Sequence, residues 1–417
     1  MKKGLVSVYL DKRREKKNGK FPLKIMVYNP IAKSNKRYNT IFDLTEKEFE
    51  SIWISSKPRN EYKDIRRKIQ TLEDLANDIV SGLNPFTFEE FEKRFYRKSG
   101  DSENVFYHYR EIIEGLTQNE QIGTASNYEL SLKSIKDYLV YRNGKEPKAL
   151  LFSEITPKWL EGYEKFMTNK PKERSLTTVS MYVRALRAVF NKAIDEKDID
   201  KDIYPFGKRK YQVPAVKNVK KALTSPELKQ LFEAEPFTPE QAKAKDFWFF
   251  SYSCNGINIK DIALLRNKNI EGDKIIYYRA KTIKTAKSDL KPIVVYLTNY
   301  SQSIIEKYRT QSTDPDSLLF EILNDNQNPD KQQRSIKNFT KFINQNLKKL
   351  SEKIGLTGNI STYWARHSFA TNAIRKGASM EYVSEALNHS NLKITQGYFS
   401  GFEDKTKKEL QANLMDF

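Results

Sequence analysis

The residues of this 417-residue chain best suited to chemistry stand close together near its end. Arg366-His367 is followed by Leu387-Asn388-His389-Ser390, and Tyr398 comes nine residues after His389. Two of the three histidines in the chain fall in this stretch, a high local concentration of a scarce residue. A guanidinium is planar, permanently charged and able to hold two phosphate oxygens at once. A phenolate can attack phosphorus and leave a phosphotyrosine that another hydroxyl reverses. Because the tyrosine pKa is near 10, that attack needs assistance at neutral pH.

Two helices must position this set. Ala365, Phe369 and Ala373, with Ala370 and Ile374, recur four apart and share one buried face. Lys376-Gly377 supplies a basic last turn and a stop. A second helix runs through Tyr382, Val383, Ala386 and Leu387 to Asn388-His389, and a short loop then leads to Tyr398.

This arrangement resembles the C-terminal signature of the tyrosine recombinase (phage integrase) family: His-x-x-Arg-His, then Leu-Gly-His-Ser, then a nucleophilic tyrosine. Arg366-His367, Leu387-Asn388-His389-Ser390 and Tyr398 match it, with Tyr363 where the first histidine of the family stands. Upstream, Asn255-Gly256-Ile257-Asn258-Ile259-Lys260-Asp261-Ile262 resembles the family's first arginine block, Gly-x-Arg-x-x-Glu. Asn258 occupies the arginine position and Asp261 the glutamate position. Arg266, Arg279 or a lysine are the alternatives for the missing charge, and the sequence does not choose among them. A hairpin pattern, 274–282 with 291–297, brings Lys281 to the place of the family's catalytic lysine, with Lys284 and Lys287 as rivals.

The resemblance implies a role for each residue. Tyr398 would form a 3′-phosphotyrosyl link, Arg366 would hold the non-bridging phosphate oxygens, His389 would bond one of them or help order the site, and Lys281 would protonate the leaving 5′ oxygen. Tyr363 can donate or accept a hydrogen bond but is a poor base; with Trp364 it is equally suited to aromatic packing. His367 reads as a buttress.

The totals fit that reading. A net charge of +20 and a pI near 9.5 favour a polyanionic partner, although charge alone leaves RNA or a membrane surface open. No apolar run is long enough to span a bilayer, and Met1-Lys2-Lys3-Gly4 lacks the apolar core of a signal peptide. The single cysteine, Cys254, excludes an internal disulfide and fits a reducing compartment. With so few Cys and His, and with no phosphate-cradling glycine loop, neither a metal nor a cofactor is expected.

The expected fold is multidomain. Residues 1–100 read as a small β-rich domain with connecting helices: runs at 5–10, 21–28 and 37–41 are strand-like, and Thr45-Glu46-Lys47-Glu48 has capping-box spacing. Residues 104–205 are all-helical, with apolar stripes through Tyr128, Leu132, Ile135 and Leu139 and through Val179, Tyr182, Leu186, Val189, Phe190 and Ala193. Residues 206–222, basic and containing Pro214, read as a linker, and 223–417 as a mainly α catalytic domain with a small β-sheet or hairpin. By resemblance the first domain binds arm-type DNA sites through Lys12, Arg13, Arg14, Lys16 and Lys17. The second binds the core site through Arg184 and Arg187, and the linker contributes Lys208, Arg209 and Lys210. The alternative for all these cations is a solvated surface.

The resemblance therefore implies a site-specific integrase of a mobile element, of conjugative-transposon type. It would exchange strands through a Holliday junction as a homotetramer on double-stranded attachment sites. Accessory DNA-bending or excision proteins are further partners, and the location is cytoplasmic, at a bacterial nucleoid. A DNA-binding protein that has lost catalysis and a type IB topoisomerase-like nicking enzyme are the alternatives. Gly401–Phe417 is the candidate segment for docking on a neighbouring protomer.

Overall fold

Alternating apolar residues in the first 45 positions build a three-stranded antiparallel sheet: β1 (Leu5–Leu10), β2 (Phe21–Asn29) and β3 (Ser34–Leu44), in that order. The structure is a computed structural model that describes residues 5–98, 100–215, 222–283, 291–389, 391–399, 401–402, 407–408 and 411–412. It divides into two units, residues 1–115 with 125–215 and residues 116–124 with 216–417. Residues 216–221 of the expected linker, Lys284, Lys287 and Ser390, and most of the 401–417 tail, lie outside the described residues.

In the first unit the sheet buries Leu23, Ile25, Val27 and Tyr38. The Thr45 capping box opens α1 (Glu46–Phe49). Then α2 (Lys63–Gly82) and α3 (Phe88–Phe95) cover the sheet with Ala76, Ile79, Val80, Phe91 and Phe95. Next come α4 (Val105–Gln118), α5 (Ile122–Asn143), α6 (Pro157–Thr168) and α7 (Leu176–Asp195). Both apolar stripes read from the sequence enter one core, which includes Ile135, Leu139, Val179, Leu186, Val189, Phe190 and Ala193, with Tyr128, Leu132 and Tyr182 at its edge. Phe206 and Tyr211, in the stretch expected as linker, are buried in that same core, because their rings pack where the end of α7 leaves room. The basic composition around them masked this apolar pair.

The second unit is built around an apolar helix. After α8 (Ser225–Glu233), opened by a Thr224–Glu227 capping box, α9 (Pro239–Ser253) buries Phe247, Trp248, Phe249 and Phe250 in succession. A helix apolar on all sides belongs at the centre. Around it stand α10 (Ile259–Leu264), a three-stranded antiparallel sheet of β4 (Ile270–Glu271), β5 (Lys274–Tyr277) and β6 (Ile293–Tyr296), α11 (Asn299–Tyr308) and α12 (Pro329–Lys353). The chain continues through α13 (Thr362–Arg375), α14 (Met380–Ala386) and α15 (Leu392–Tyr398).

Two expectations are corrected here. The first hairpin strand stops at Tyr277 rather than at 282: the Ala280 N–H leaves the ladder and donates to the Asp261 carboxylate at 2.9 Å. Lys281 therefore sits in a turn beyond the strand. Tyr398 is the last residue of a helix, not part of a short loop, because the Asn391 side chain accepts from Ile394 N–H and starts a new turn.

Phe190 is fully buried, 4.8 Å from Phe152 and 5.7 Å from Phe206 between ring centres. Phe190→Ala should destabilise the helical module by about 3–5 kcal/mol, whereas Leu130→Ala, at an exposed position, should stay within about 0.5 kcal/mol. Urea unfolding of both variants checks this.

Candidate active site

The α13 helix is held at several points along its length. Trp248 Nε1 donates to the Ser361 carbonyl at 2.9 Å and Thr362 N–H to Asn344 Oδ1 at 2.8 Å. Further along, Ser368 Oγ accepts from Leu223 N–H at 2.9 Å and Asn372 Nδ2 donates to the Leu223 carbonyl at 3.1 Å. Between these anchors Arg366 points inward and is only 4% exposed. Its Nη1 donates to the Gly256 carbonyl at 3.0 Å and its Nη2 to the Leu387 carbonyl at 2.5 Å. Nε, also buried, has no hydrogen-bond partner among the described residues. Gly256 is required there: it has φ +65°, and a Cβ on it would stand 2.8 Å from Arg366 Cα. Burial, and then the charge of Arg279, lower the Arg366 pKa, yet a guanidinium stays charged under any ordinary condition.

Tyr398 lies against this arginine, its ring centre 6.0 Å from the guanidinium carbon. His367 stacks on the Tyr398 ring at 4.3 Å and 24°, from a buried position on α13, and Thr371 Oγ1 donates to the Tyr398 carbonyl at 3.0 Å. His389 flanks the same ring at 5.0 Å. The tautomer of His389 follows from its partners. A guanidinium can only donate, so Arg366 Nη2 at 3.4 Å makes Nε2 the acceptor. Nδ1 then carries the hydrogen and donates to Thr395 Oγ1 at 2.9 Å. Burial, then Arg366, Arg279 and Lys281, hold the His389 pKa down to about 4. Tyr363 is half-exposed, and its hydroxyl is 3.0 Å from that of Tyr398. Burial and that hydrogen bond push the Tyr363 pKa well above its ordinary value.

The structure thus brings Tyr398, Tyr363, Arg366 and His389 into one cluster. Asn258 lines a cavity of about 140 Å³ together with Gly256, Tyr363 and Arg366, but its side chain caps α10 by accepting from Lys260 N–H at 3.1 Å. Lys281 is exposed and near enough to act electrostatically on His389. Of the alternatives for the missing charge, Arg266 is turned away, bound to the Asp316 carbonyl and to Asp325 at 2.8 Å. Arg279 faces the end of α14, its Nη1 donating to the Leu387 and Asn388 carbonyls at 3.5 and 3.4 Å. Thr395, Thr371 and the Leu387 carbonyl were not singled out in the sequence; a lone threonine and a backbone oxygen carry no motif.

The expected DNA-contacting cations belong to the first unit and are all exposed. Lys12 pairs with Glu46 at 2.8 Å, Arg13 with Asp11 at 2.8 Å and Lys16 with Asp43 at 2.6 Å. Arg14 and Lys17 project from the same turn, and Arg184 and Arg187 line the outer face of α7. Lys208 and Arg209 are exposed, and Lys210 Nζ donates to the Tyr204 carbonyl at 2.5 Å.

A buried arginine beside a helix-end tyrosine, on this all-helical frame with a small antiparallel sheet, defines a class of enzyme. Residues 104–213 match the phage integrase SAM-like domain and residues 221–404 the phage integrase family. The chain belongs to that family, the tyrosine recombinases, and is a site-specific DNA recombinase with the tyrosine recombinase fold. It is 25% identical over 277 residues to tyrosine recombinase XerA of Thermococcus onnurineus, covering 63% of this chain and 89% of the relative. It is 26% identical over 304 residues to tyrosine recombinase XerC of Bacillus subtilis, covering 70% and 90%. The fold is similar to that of the Tn1549 transposon integrase in complex with transposon right end DNA: TM-score 0.50, 14% identity, 75% of this chain and 99% of the other.

A depressed histidine pKa has a defined consequence. The contribution of neutral His389 to stability is complete above the ordinary value of 6.5 and is lost as the pH falls through about 4. In an NMR titration its imidazole resonance, assigned by its disappearance in His389→Gln, should remain that of the neutral form at pH 6 and turn over near 4. A midpoint at the ordinary histidine value would contradict the geometry described for Arg366 and Thr395.

Proposed function

We propose that this recombinase integrates and excises a mobile element of the conjugative-transposon type, with Tyr398 as nucleophile. The observation that carries this reading is the contact of the Tyr398 side chain with Tyr363, Arg366 and His389 in one pocket. In the reaction the Tyr398 oxygen bonds to the scissile phosphorus while the bond to the 5′ oxygen breaks, leaving a 3′-phosphotyrosine and a free 5′ hydroxyl. The phosphoester energy is kept in the covalent link, so rejoining needs no external energy source.

Arg366 holds the non-bridging oxygens, and His389 joins it through Nε2–H in the other neutral tautomer, in which Nδ1 accepts from the Thr395 hydroxyl. Being fixed in place beforehand, the guanidinium needs little reorganisation as charge builds on the phosphorane. Tyr363 keeps its proton at neutral pH, so it serves as a hydrogen-bond donor to the Tyr398 oxygen and not as a base. The Tyr398 proton leaves to solvent. Lys281 gives its proton to the departing 5′ oxygen. Asn258 caps α10 and takes no part in phosphate binding.

The N-terminal sheet with Lys12, Arg13, Arg14, Lys16 and Lys17 serves arm-type sites. The 104–205 helical module, with Arg184 and Arg187, grips the core site, and Lys208, Arg209 and Lys210 follow the DNA backbone between modules. Arg14 and Lys17, which pair with no acid among the described residues, carry more of the arm contact than Lys12, Arg13 and Lys16, whose charges are partly met by acids. Recombination of paired sites proceeds in a homotetramer through a Holliday junction, with accessory bending or excision proteins, at the nucleoid in the bacterial cytoplasm. Among the described residues no helix is long and apolar enough to cross a membrane.

Nicked duplexes tiled across the DNA that flanks the coding sequence test this reading. Wild type should form a covalent adduct visible on a denaturing gel, and Tyr398→Phe should form none while binding the same DNA. Adduct from both proteins would exclude Tyr398. Tight binding without adduct from either would leave a DNA-binding protein without catalysis.

Lys281 is tested separately at the leaving group. Lys281→Ala should slow cleavage of the ordinary diester by about 100-fold or more, and a 5′-bridging sulfur, which leaves without a proton, should restore the rate. A loss that sulfur does not relieve would remove the lysine from the acid role.

A further inference from the structure

Asn258 leaves the pocket short of one arginine relative to the family pattern, yet the pocket contains a second guanidinium. Arg279 lies two residues past the end of β5, where the chain has left the sheet. Asp261, buried at the first turn of α10, accepts the Ala280 N–H at 2.9 Å and so fixes the backbone beside Arg279. Its side chain reaches the Leu387 carbonyl, the same oxygen that accepts from Arg366 Nη2.

Two cations that share one acceptor repel each other, and among the described residues neither is hydrogen-bonded to a carboxylate. The contacts that hold Arg279 are long, 3.4 and 3.5 Å, and weak enough to be exchanged for a charged oxygen. Arg366 Nε is buried beside them without a hydrogen-bond partner among the described residues. The Leu387 and Asn388 carbonyls that hold Arg279 directly precede His389, which flanks the Tyr398 ring, and the charge of Arg279 acts on Arg366, His389 and Tyr363. The buried Asp261 carboxylate is felt by both guanidiniums but bonds to neither, so two cations face one acid and an anion would meet the excess charge.

We infer that Arg279 is a catalytic residue that binds the scissile phosphate together with Arg366 and supplies the positive charge that Asn258 cannot. The inference rests on the reading of Tyr398 as nucleophile. It relocates the second arginine from the start of α10 to the end of β5, with Asp261 tying the two segments together. Arg266, committed to Asp316 and Asp325, is excluded from the role.

The test separates charge stabilisation from packing. The scissile position is first mapped with wild-type adduct on nicked duplexes from the flanking DNA. Cleavage is then compared on the ordinary phosphodiester and on a duplex with a methylphosphonate at that position, whose phosphorus centre bears no negative charge. Arg279→Ala should cleave the diester about 100-fold or more slowly than wild type, and the methylphosphonate about as fast as wild type. Arg279→Lys, which keeps the charge but not the forked donors, should fall between. An undiminished rate on the diester would overturn the inference and leave Tyr398 untouched. An equal loss on both substrates would also overturn it, assigning Arg279 a structural part. If wild type forms no Tyr398-dependent adduct at all, the nucleophile reading fails and this inference with it.

Discussion

The burial of Arg366 is the constraint on which the catalytic unit depends. Removing a guanidinium from water costs several kcal/mol, and the cost is usually offset by a carboxylate. Here two backbone carbonyls, from Gly256 and Leu387, do that work instead. Carbonyl dipoles compensate solvation without cancelling charge, so the site keeps a net positive potential. An acid in their place would stabilise the empty protein and neutralise the group that the reaction needs.

That choice dictates local structure in three separate segments. The carbonyl of Gly256 can face the arginine only if the backbone takes a left-handed turn with no side chain, since any Cβ would meet Arg366 itself. The carbonyl of Leu387 is free because α14 has just ended, and the last carbonyls of a helix have no partner within it. The arginine reaches both because α13 is fastened to α9 through Trp248 and to Leu223, in the segment before α8, through Ser368 and Asn372. The run of aromatic residues in α9 thus acts on the site through the rigidity it gives to α13. The same helix end also binds Arg279, so the positions of the two cations are set by a single feature.

Much of this was legible in the sequence, for physical reasons. Helical periodicity locates α13 and α14, and the capping box at Thr45 marks a helix start that the structure keeps. Arg366, His389 and Tyr398 stand out because rare residue types recur at fixed spacing. What escaped depends on contacts between distant segments. Nothing near Arg279 distinguishes it from Arg266; only the Asp261–Ala280 hydrogen bond turns one inward, and only the acidic loop at 316–325 draws the other away. Thr395 is unremarked until His389 is placed beside it. The basic run from Lys12 to Lys17 looked uniformly available, whereas Asp11, Asp43 and Glu46 lie across from it in the fold.

The exchange of histidine for Tyr363 then has a chemical meaning set by this environment. A neutral imidazole at that position could remove a proton from the nucleophile. A phenol whose own pKa is raised by burial and by its partner cannot, because it keeps its proton at neutral pH and so has no phenolate to accept another. Yet a phenol that stays protonated is a good donor to a developing phenolate, and the hydroxyls are already 3.0 Å apart. With Tyr398 as the proposed nucleophile, the substitution would convert assistance by proton removal into assistance by hydrogen bonding. It also raises the share of the work left to fixed positive charge. A pocket that gives up a base at 363 and a guanidinium at 258 has a correspondingly greater need for every remaining cation near Tyr398, and Arg366 and Arg279 are the two that its backbone holds in place.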